Sequence, residues 1–264
     1  MFHGSGHKMQ QLNTPISVMA EHIRENLKRD VKMFVGMNPH DGKALIVGGG
    51  PSLKESLPTI RKMHDRGATI FALNGVHDWL IERGIIPEFH VILDAKPENV
   101  AFVQKPHKRV CYLMAAQCHP SVFEALEGFE VVQWVAWIPG GEDIADEYPD
   151  IPINLIGGGN TVGIKTMCLT HIWGFRKLHL FGFDSSYRGD ENHAYEQSMN
   201  DGEDVLSLMT AGRKFKCAKW MARQVVDFQE FAKRLTMGGS EIKVHGDGLL
   251  PWVAQHLQEI KRAA

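Results

Sequence analysis

The feature that most constrains this chain is a repeated change of period. Short apolar runs without polar alternation each give way to a turn and then to an amphipathic stretch. KALIV (43–47), ATIFAL (68–73), FHVILD (89–94), RVCYLM (109–114), FEVVQWV (129–135), RKLHLFGFD (176–184) and EIKVHG (241–246) read as strands. Residues 52–67, 76–84, 120–128, 161–173, 216–235 and 251–262 read as the helices around them, with Pro58 predicting a break or kink in the first. Unbroken apolar strands are buried on both faces, as in parallel sheets. Strands alternating with helices imply βαβ units, so the expected fold is α/β: a doubly wound, mostly parallel, Rossmann-like sheet with helices on both faces.

Residues 1–42 read as a helical preamble. A helix over Ser17–Met33 offers Val18, Ile23 and Leu27 as contacts and ends at the turn cluster Asn38, Pro39, Asp41 and Gly42. Residues 43–264 read as one nucleotide-binding transferase domain. Its polar stretch at 185–212 has little periodicity and reads as a functional flap. Lys plus Arg total 29 against 31 for Asp plus Glu, a net charge of −2, which argues against a protein built to coat nucleic acid. Cys111, Cys118, Cys168 and Cys217 form no CxxC pair, so neither a zinc module nor a disulfide framework is expected, and a reducing, cytoplasmic compartment follows. No apolar run is long enough to span a bilayer, and MFHGSGHKMQQ has no signal-peptide core.

In doubly wound sheets ligands bind beyond the carboxyl ends of the strands, so the residues there are the ones to read for chemistry. The first strand runs into Gly48-Gly49-Gly50-Pro51-Ser52. Three glycines permit positive φ and close approach of a ligand; Ser52 is placed to cap the next helix, whose N-terminus suits a phosphate. A plain tight turn explains the same string. The second loop, Gly157-Gly158-Gly159-Asn160-Thr161-Val162-Gly163, again precedes a helix, with Asn160 or Thr161 as its cap and Gly163 for close packing. Two such loops suggest a nucleotide spanning two crevices. Asn74, Asp94 and Asp184 end strands, where an acid binds a ribose hydroxyl or a metal, or caps the next segment. His193 in the flap is a candidate general base; a surface histidine is the alternative. His90 and His179 read as core histidines. His245-Gly246-Asp247-Gly248 lines the same edge or is a simple turn, Trp134 and Trp137 offer a pocket wall, and basic RKFKCAKWMAR (213–223) faces phosphates or is a solvated helix start.

Three segments carry a resemblance. VGGGPSLKESLPTI, GIIPEFHVILDAKP and GGGNTVGIKTMCLTHIWGFRKLHLFGFD resemble, in order, motifs of the family called domain of unknown function 115. That family includes MptE-like 6-hydroxymethylpterin diphosphokinases and the core of Maf flagellin glycosyltransferases. The first and last segments also resemble the family 42 sialyltransferases. Glu88 departs from the family, which often has Asp there. By resemblance, Gly48, Gly49, Gly50, Pro51 and Ser52 would hold nucleotide phosphates. Asn74, Asp94, Gly158, Gly159, Asn160 and Thr161 would line the nucleotide pocket, and Asp184 the catalytic edge. His193 would be the base, with Tyr187 and Tyr195 steadying the leaving phosphate. The implied function is a nucleotide-dependent transferase, foremost a glycosyltransferase using a nucleotide sugar. The alternatives are diphosphate transfer from ATP to a pterin-like hydroxymethyl group, with Mg2+ facing Asp94 and Asp184, and a non-catalytic nucleotide-binding module. The size resembles stand-alone members found in phage genomes. The implied partners are the nucleotide donor and an acceptor the motifs do not identify, and the reading leaves room for a homo-oligomer.

Overall fold

The computed structural model describes residues 14–196 and 204–256. The chain begins α1 (Ile16–Asn26), β1 (Lys32–Met33), β2 (His40–Val47), α2 (Leu53–His64), β3 (Thr69–Leu73), α3 (Val76–Ile81) and β4 (Phe89–Ile92). A 3-10 turn (Pro97–Val103), β5 (Cys111–Ala115), α4 (Pro120–Glu124), β6 (Glu130–Ala136), α5 (Gly141–Asp146) and β7 (Leu155–Ile156) follow. Then come α6 (Val162–Ile172), β8 (Phe175–Phe181), β9 (Val205–Thr210), β10 (Arg213–Ala218), α7 (Lys219–Met237), β11 (Glu241–Val244) and α8 (Leu249–Gln255). The fold is a mostly parallel, doubly wound α/β fold of the Rossmann-like kind.

The chain divides into two compact units, residues 1–35 with 91–157 and residues 36–90 with 158–264. In the first, β6 lies between β5 and β1 and also pairs β7, all parallel. Met19, Ile23 and Leu27 of α1 and its flank share a core with Ala116, Val135, Ile138 and Ile144. Met19, rather than the expected Val18, is the buried contact one turn before Ile23.

In the second unit the order is β3-β2-β8-β11, parallel throughout, with Val47 in register with Ala72 on one side and Phe181 on the other. Ala44–Val47 are fully buried, as two-sided coverage requires. From β2 the chain steps outward through α2 to β3; from β8 it steps the opposite way through α7 to β11. Right-handed crossovers in opposite directions put α2 and α7 on opposite faces. The direction reverses between β2 and β8, and the crevice at their carboxyl ends is the switch point at which such sheets bind ligands.

Four expectations need correction. Pro58 lies inside α2 without ending it; it forfeits only the bond to the Lys54 carbonyl. The helix expected from Lys216 starts at Lys219, because 213–218 is strand β10. The stretch 185–212 is not one loop. Residues 185–196 fold back on the second unit, 205–210 form β9 against β10, and 197–203 lie outside the described residues. Finally, Trp134 is core, donating to the Leu113 carbonyl at 3.1 Å, and Trp137 is exposed with its indole on Glu142, and neither lines the cleft beside Asp184 described below. All four cysteines are free.

Candidate functional site

At the switch point β2 and β8 continue past their ends as a pair of turns. Gly48 N donates to the Phe181 carbonyl at 2.8 Å and Gly50 N to Gly182 at 2.9 Å. None of Gly48, Gly49 and Gly50 has positive φ, so the expected left-handed geometry is absent. Their lack of a side chain serves space instead. A Cβ on Gly48 would stand 2.9 Å from the Gly182 oxygen; one on Gly49 would meet Tyr195 Oη at 2.7 Å and the His193 ring at 3.0 Å; one on Gly50 would collide with the Asp184 carboxylate.

Asp184 is the keystone of this edge. Its Oδ2 accepts from Ser52 N at 3.1 Å and Ser52 Oγ at 2.9 Å, and both residues are buried, at 3% and 2% exposure. Ser52 therefore does not cap α2 with its side chain, as expected; its backbone is helical rather than extended, and the carboxylate is the stronger acceptor. A protein carboxylate thus occupies the amide at the start of α2 that a phosphate would seek. Burial raises the Asp184 carboxyl from its ordinary range, opposed by the Ser52 bonds and Arg188. Gly246 and Gly248 complete the enclosure: a Cβ on the first would lie 2.5 Å from Ser52 Oγ, and on the second 2.5 Å from the Asp184 carbonyl oxygen. The His245–Gly248 segment lines the edge.

The stretch after β8 returns over the first glycine loop. Ala194 N donates to the Gly49 carbonyl at 2.8 Å, and Ala194, at 4% exposure, joins the core of Leu45, Val47, Leu53 and Phe181 with Tyr195 packed against it. Tyr195 also lies over Gly75, whose Cβ would meet its ring at 3.0 Å. Asn74, just before, has φ 49° and a buried Oδ1 with no hydrogen-bond partner among the described residues. Segments from β2, β3 and the return after β8 thus converge on Gly49. His193 Nδ1 lies 3.0 Å from Asn192 Oδ1, which assigns the proton to Nδ1 and leaves Nε2 as acceptor. Burial pushes the imidazole down to about 4, so it is neutral at pH 7. Tyr187 is not with them; its amide donates to the Lys216 carbonyl at 2.8 Å, on the β10 side.

The second glycine loop works differently. Gly158 and Gly159 have φ 115° and 60°, and a Cβ on each would press on Cys168 Sγ and Asp227 Oδ2. Thr161 Oγ1 caps α6 through Ile164 N at 3.4 Å. Gln224 of α7 bridges the regions, donating to Thr161 Oγ1 at 3.0 Å and accepting from Ser185 Oγ at 2.7 Å. Buried Asp227 accepts the Asn160 amide and pairs with Arg223 at 2.9 Å. Lys165 on α6 is pushed down to about 8 by burial. Nothing in the sequence marks Gln224 or Asp227, because their roles depend on the packing of α7. Gly163 admits the Phe183 ring, 2.5 Å from where its Cβ would be.

Beside Asp184 opens a cleft of about 560 Å3, with Arg188, Arg213, Lys214 and Lys216 on its walls together with Asp190 and Asp247. The basic 213–216 run faces this cleft. Arg188 is held by Glu55 at 2.6 Å and Asp247 at 2.7 Å. Asp94 belongs to the first unit, just past β4; its carbonyl accepts from Asn99 Nδ2 at 2.9 Å. His90 is buried with Nε2 on the Asn74 carbonyl at 2.8 Å, and His179 pairs with His245 at 3.0 Å, both in structural roles.

A family model described as 6-hydroxymethylpterin diphosphokinase MptE-like matches residues 17–190. Among solved structures, a Maf glycosyltransferase from Magnetospirillum magneticum AMB-1 has a TM-score of 0.68 at 18% identity, covering 93% of this chain and 41% of that one. The chain therefore spans less than half the length of that protein, and the likeness is one of fold. A mammalian sialyltransferase in complex with Gal-beta-1-3GalNAc-ortho-nitrophenol aligns with a TM-score of 0.43 at 13% identity, over 90% of this chain and 81% of that one. No curated protein sequence matches. No helix among the described residues is long and apolar enough to cross a membrane.

Proposed function

The chain belongs to the MptE-like family, and on that premise we propose that it is a nucleotide-dependent transferase, foremost one that moves a sugar from a nucleotide-sugar donor to a hydroxyl. The observation that carries this reading is the convergence of Gly49, Asn74, His193 and Tyr195 at the switch point. Asn74 Oδ1, without a partner among the described residues, supports a ligand there, since buried polar atoms are ordinarily bonded. In this reading His193 Nε2 takes the proton of the acceptor hydroxyl as its oxygen attacks the anomeric carbon. The nucleotide phosphate departs with the bond electrons, close to the Tyr195 hydroxyl. A base held at about 4 is weak in the empty site, and donor phosphates beside it would raise it towards the useful range. Ser52 and Asp184 brace the loop rather than touch substrate.

The second reading, diphosphate transfer from ATP, is favoured by the description of the matched family. It asks for Mg2+, and Asp184 is a poor ligand for a cation: it is buried, engaged by Ser52 and raised towards its neutral form. Any cation would have to arrive with the triphosphate, and no step here is routed through one.

Thermal denaturation with CMP, UDP, GDP and ATP tests the shared premise. A ligand at a hundred times its Kd adds about 2.7 kcal/mol, and no shift with any nucleotide overturns both readings. AMP release from ATP that stops in EDTA would establish the second reading over the first. His193→Ala should leave nucleotide affinity near its original value while turnover falls roughly 10²–10⁴-fold, the usual size of a base contribution.

A further inference from the structure

The family model ends at residue 190, and the β9–β10 hairpin lies beyond it. Period two places Lys214 and Lys216 on one face of β10, opposite Met209 and Ser207 of β9, while Phe215 and Cys217 turn inward and are buried. A lysine-bearing strand is ordinarily a solvated face. Here Ser207, Lys214 and Lys216 border the cleft beside Asp184 instead.

The hairpin is fastened where it stands. Its Lys216 carbonyl accepts the Tyr187 amide at 2.8 Å, and its Thr210 carbonyl accepts Trp252 Nε1 at 3.2 Å. Arg213 lies over the Phe215 and Trp252 rings, at 4.8 and 5.2 Å from their centroids. Arg188 and Arg213 are positioned by Asp247, at 2.7 and 3.8 Å. The lysines are far less engaged. Lys214 has no ion-pair partner among the described residues, and Lys216 meets only Asp190, whose side chain is 99% exposed. Two available ammonium groups side by side on a fixed strand repel each other unless an anion lies between them. A volume of about 560 Å3 suits a small molecule.

We propose that this hairpin face is the acceptor subsite and that the acceptor is anionic, a hydroxyl compound carrying a phosphate or carboxylate group held by Lys214 and Lys216. The assignment rests on the switch point being the donor site. Arg188 and Arg213 frame the cleft, and a neutral acceptor would gain less from the lysines than an anion, whose charge strengthens each hydrogen bond.

Inorganic pyrophosphate is the probe, titrated calorimetrically into the wild-type chain, Lys214→Glu/Lys216→Glu, the neutral pair Lys214→Gln/Lys216→Gln, and Lys62→Glu as a charge control on α2. Circular dichroism verifies folding of each. The expected result is binding that weakens with added salt, is reduced at least tenfold by both paired variants, is unchanged in Lys62→Glu, and survives saturation with the nucleotide that stabilises the protein. Displacement by that nucleotide would make the cleft the donor's phosphate site and overturn the proposal while leaving the transferase reading intact. Binding indifferent to the lysines would also overturn it. Stabilisation by no nucleotide would overturn the transferase reading instead, and the lysine dependence would still decide whether the cleft is an anion site.

Discussion

The two glycine triplets look interchangeable as text, yet they do different physical work. At Gly48–Gly50 the backbone angles are ordinary, and glycine is required because Gly182, His193, Tyr195 and Asp184 fill the space where side chains would go. At Gly158 and Gly159 the angles themselves are left-handed, and crowding by Cys168 and Asp227 comes in addition. One loop needs room and the other needs conformation. The first is built to bring distant segments together; the second sets the path of the chain into α6.

The difference can be broken experimentally, beginning with the largest effect. Gly50→Ala should cost about 3 kcal/mol or more, because the new methyl both overpacks the site and pushes Asp184 off Ser52. Urea midpoints at constant slope measure it. Gly159→Ala should cost about 2 kcal/mol, mostly backbone strain. Adding Asp227→Ala should recover little of it, since the angle remains; recovery of most of the loss would show that crowding, not conformation, governs this loop. Gly49→Ala should cost about 1 kcal/mol. Tyr195→Phe removes the oxygen nearest the new methyl, so the double variant should be more stable than the two single losses predict. Strict additivity there would end the contrast between the loops.

The contrast between the loops extends to pH. His193 is held neutral down to about 4 against an ordinary 6.5, so the folded chain binds fewer protons in that window. Its contribution is complete above about pH 6.5 and is lost as pH falls towards 4. Lys165 near the second loop is lowered from 10.5 to about 8, so its contribution is complete only above that upper value and is lost as pH falls to about 8. His193→Gln should flatten the acid limb of a stability–pH curve and Lys165→Met the alkaline one. Exchange of those two outcomes would mean the burial argument is wrong.

Much of the fold could be read directly, because KALIV, ATIFAL and RKLHLFGFD carry a strong apolar signal and a glycine falls at or beside the turn that follows each. Asp184 was legible as a strand-end acid. Its partnership with Ser52 was not, since that bond joins residues far apart in the chain and Ser52 fits the local rule for a cap equally well. The hairpin was hidden for another reason. VLSLMT and RKFKCA do alternate, and two residues, Ala211 and Gly212, separate them with φ of 42° and 73°. That is the geometry of a tight hairpin turn, but alanine is an unusual occupant, and an Asn-Gly pair would have announced it. Gln224 and Asp227 were invisible because a helix pattern shows which face is buried and not what that face touches.

The placement of Asp184 has a consequence for how the molecule is made. Ser52, which holds one side of its carboxylate, is synthesised roughly two hundred residues before Gly246 and Gly248, which close the other side. At translation rates of about 5–20 residues per second, that interval is on the order of ten to forty seconds. For the first part of it, until β8 emerges, β2 can pair with β3 on one edge and has no partner for the other. A bare parallel strand edge of fully buried residues is a template for wrong pairing. The nascent chain therefore carries its greatest hazard of aggregation on the strand that bears the first glycine loop, and that hazard ends only when the ribosome has delivered β8.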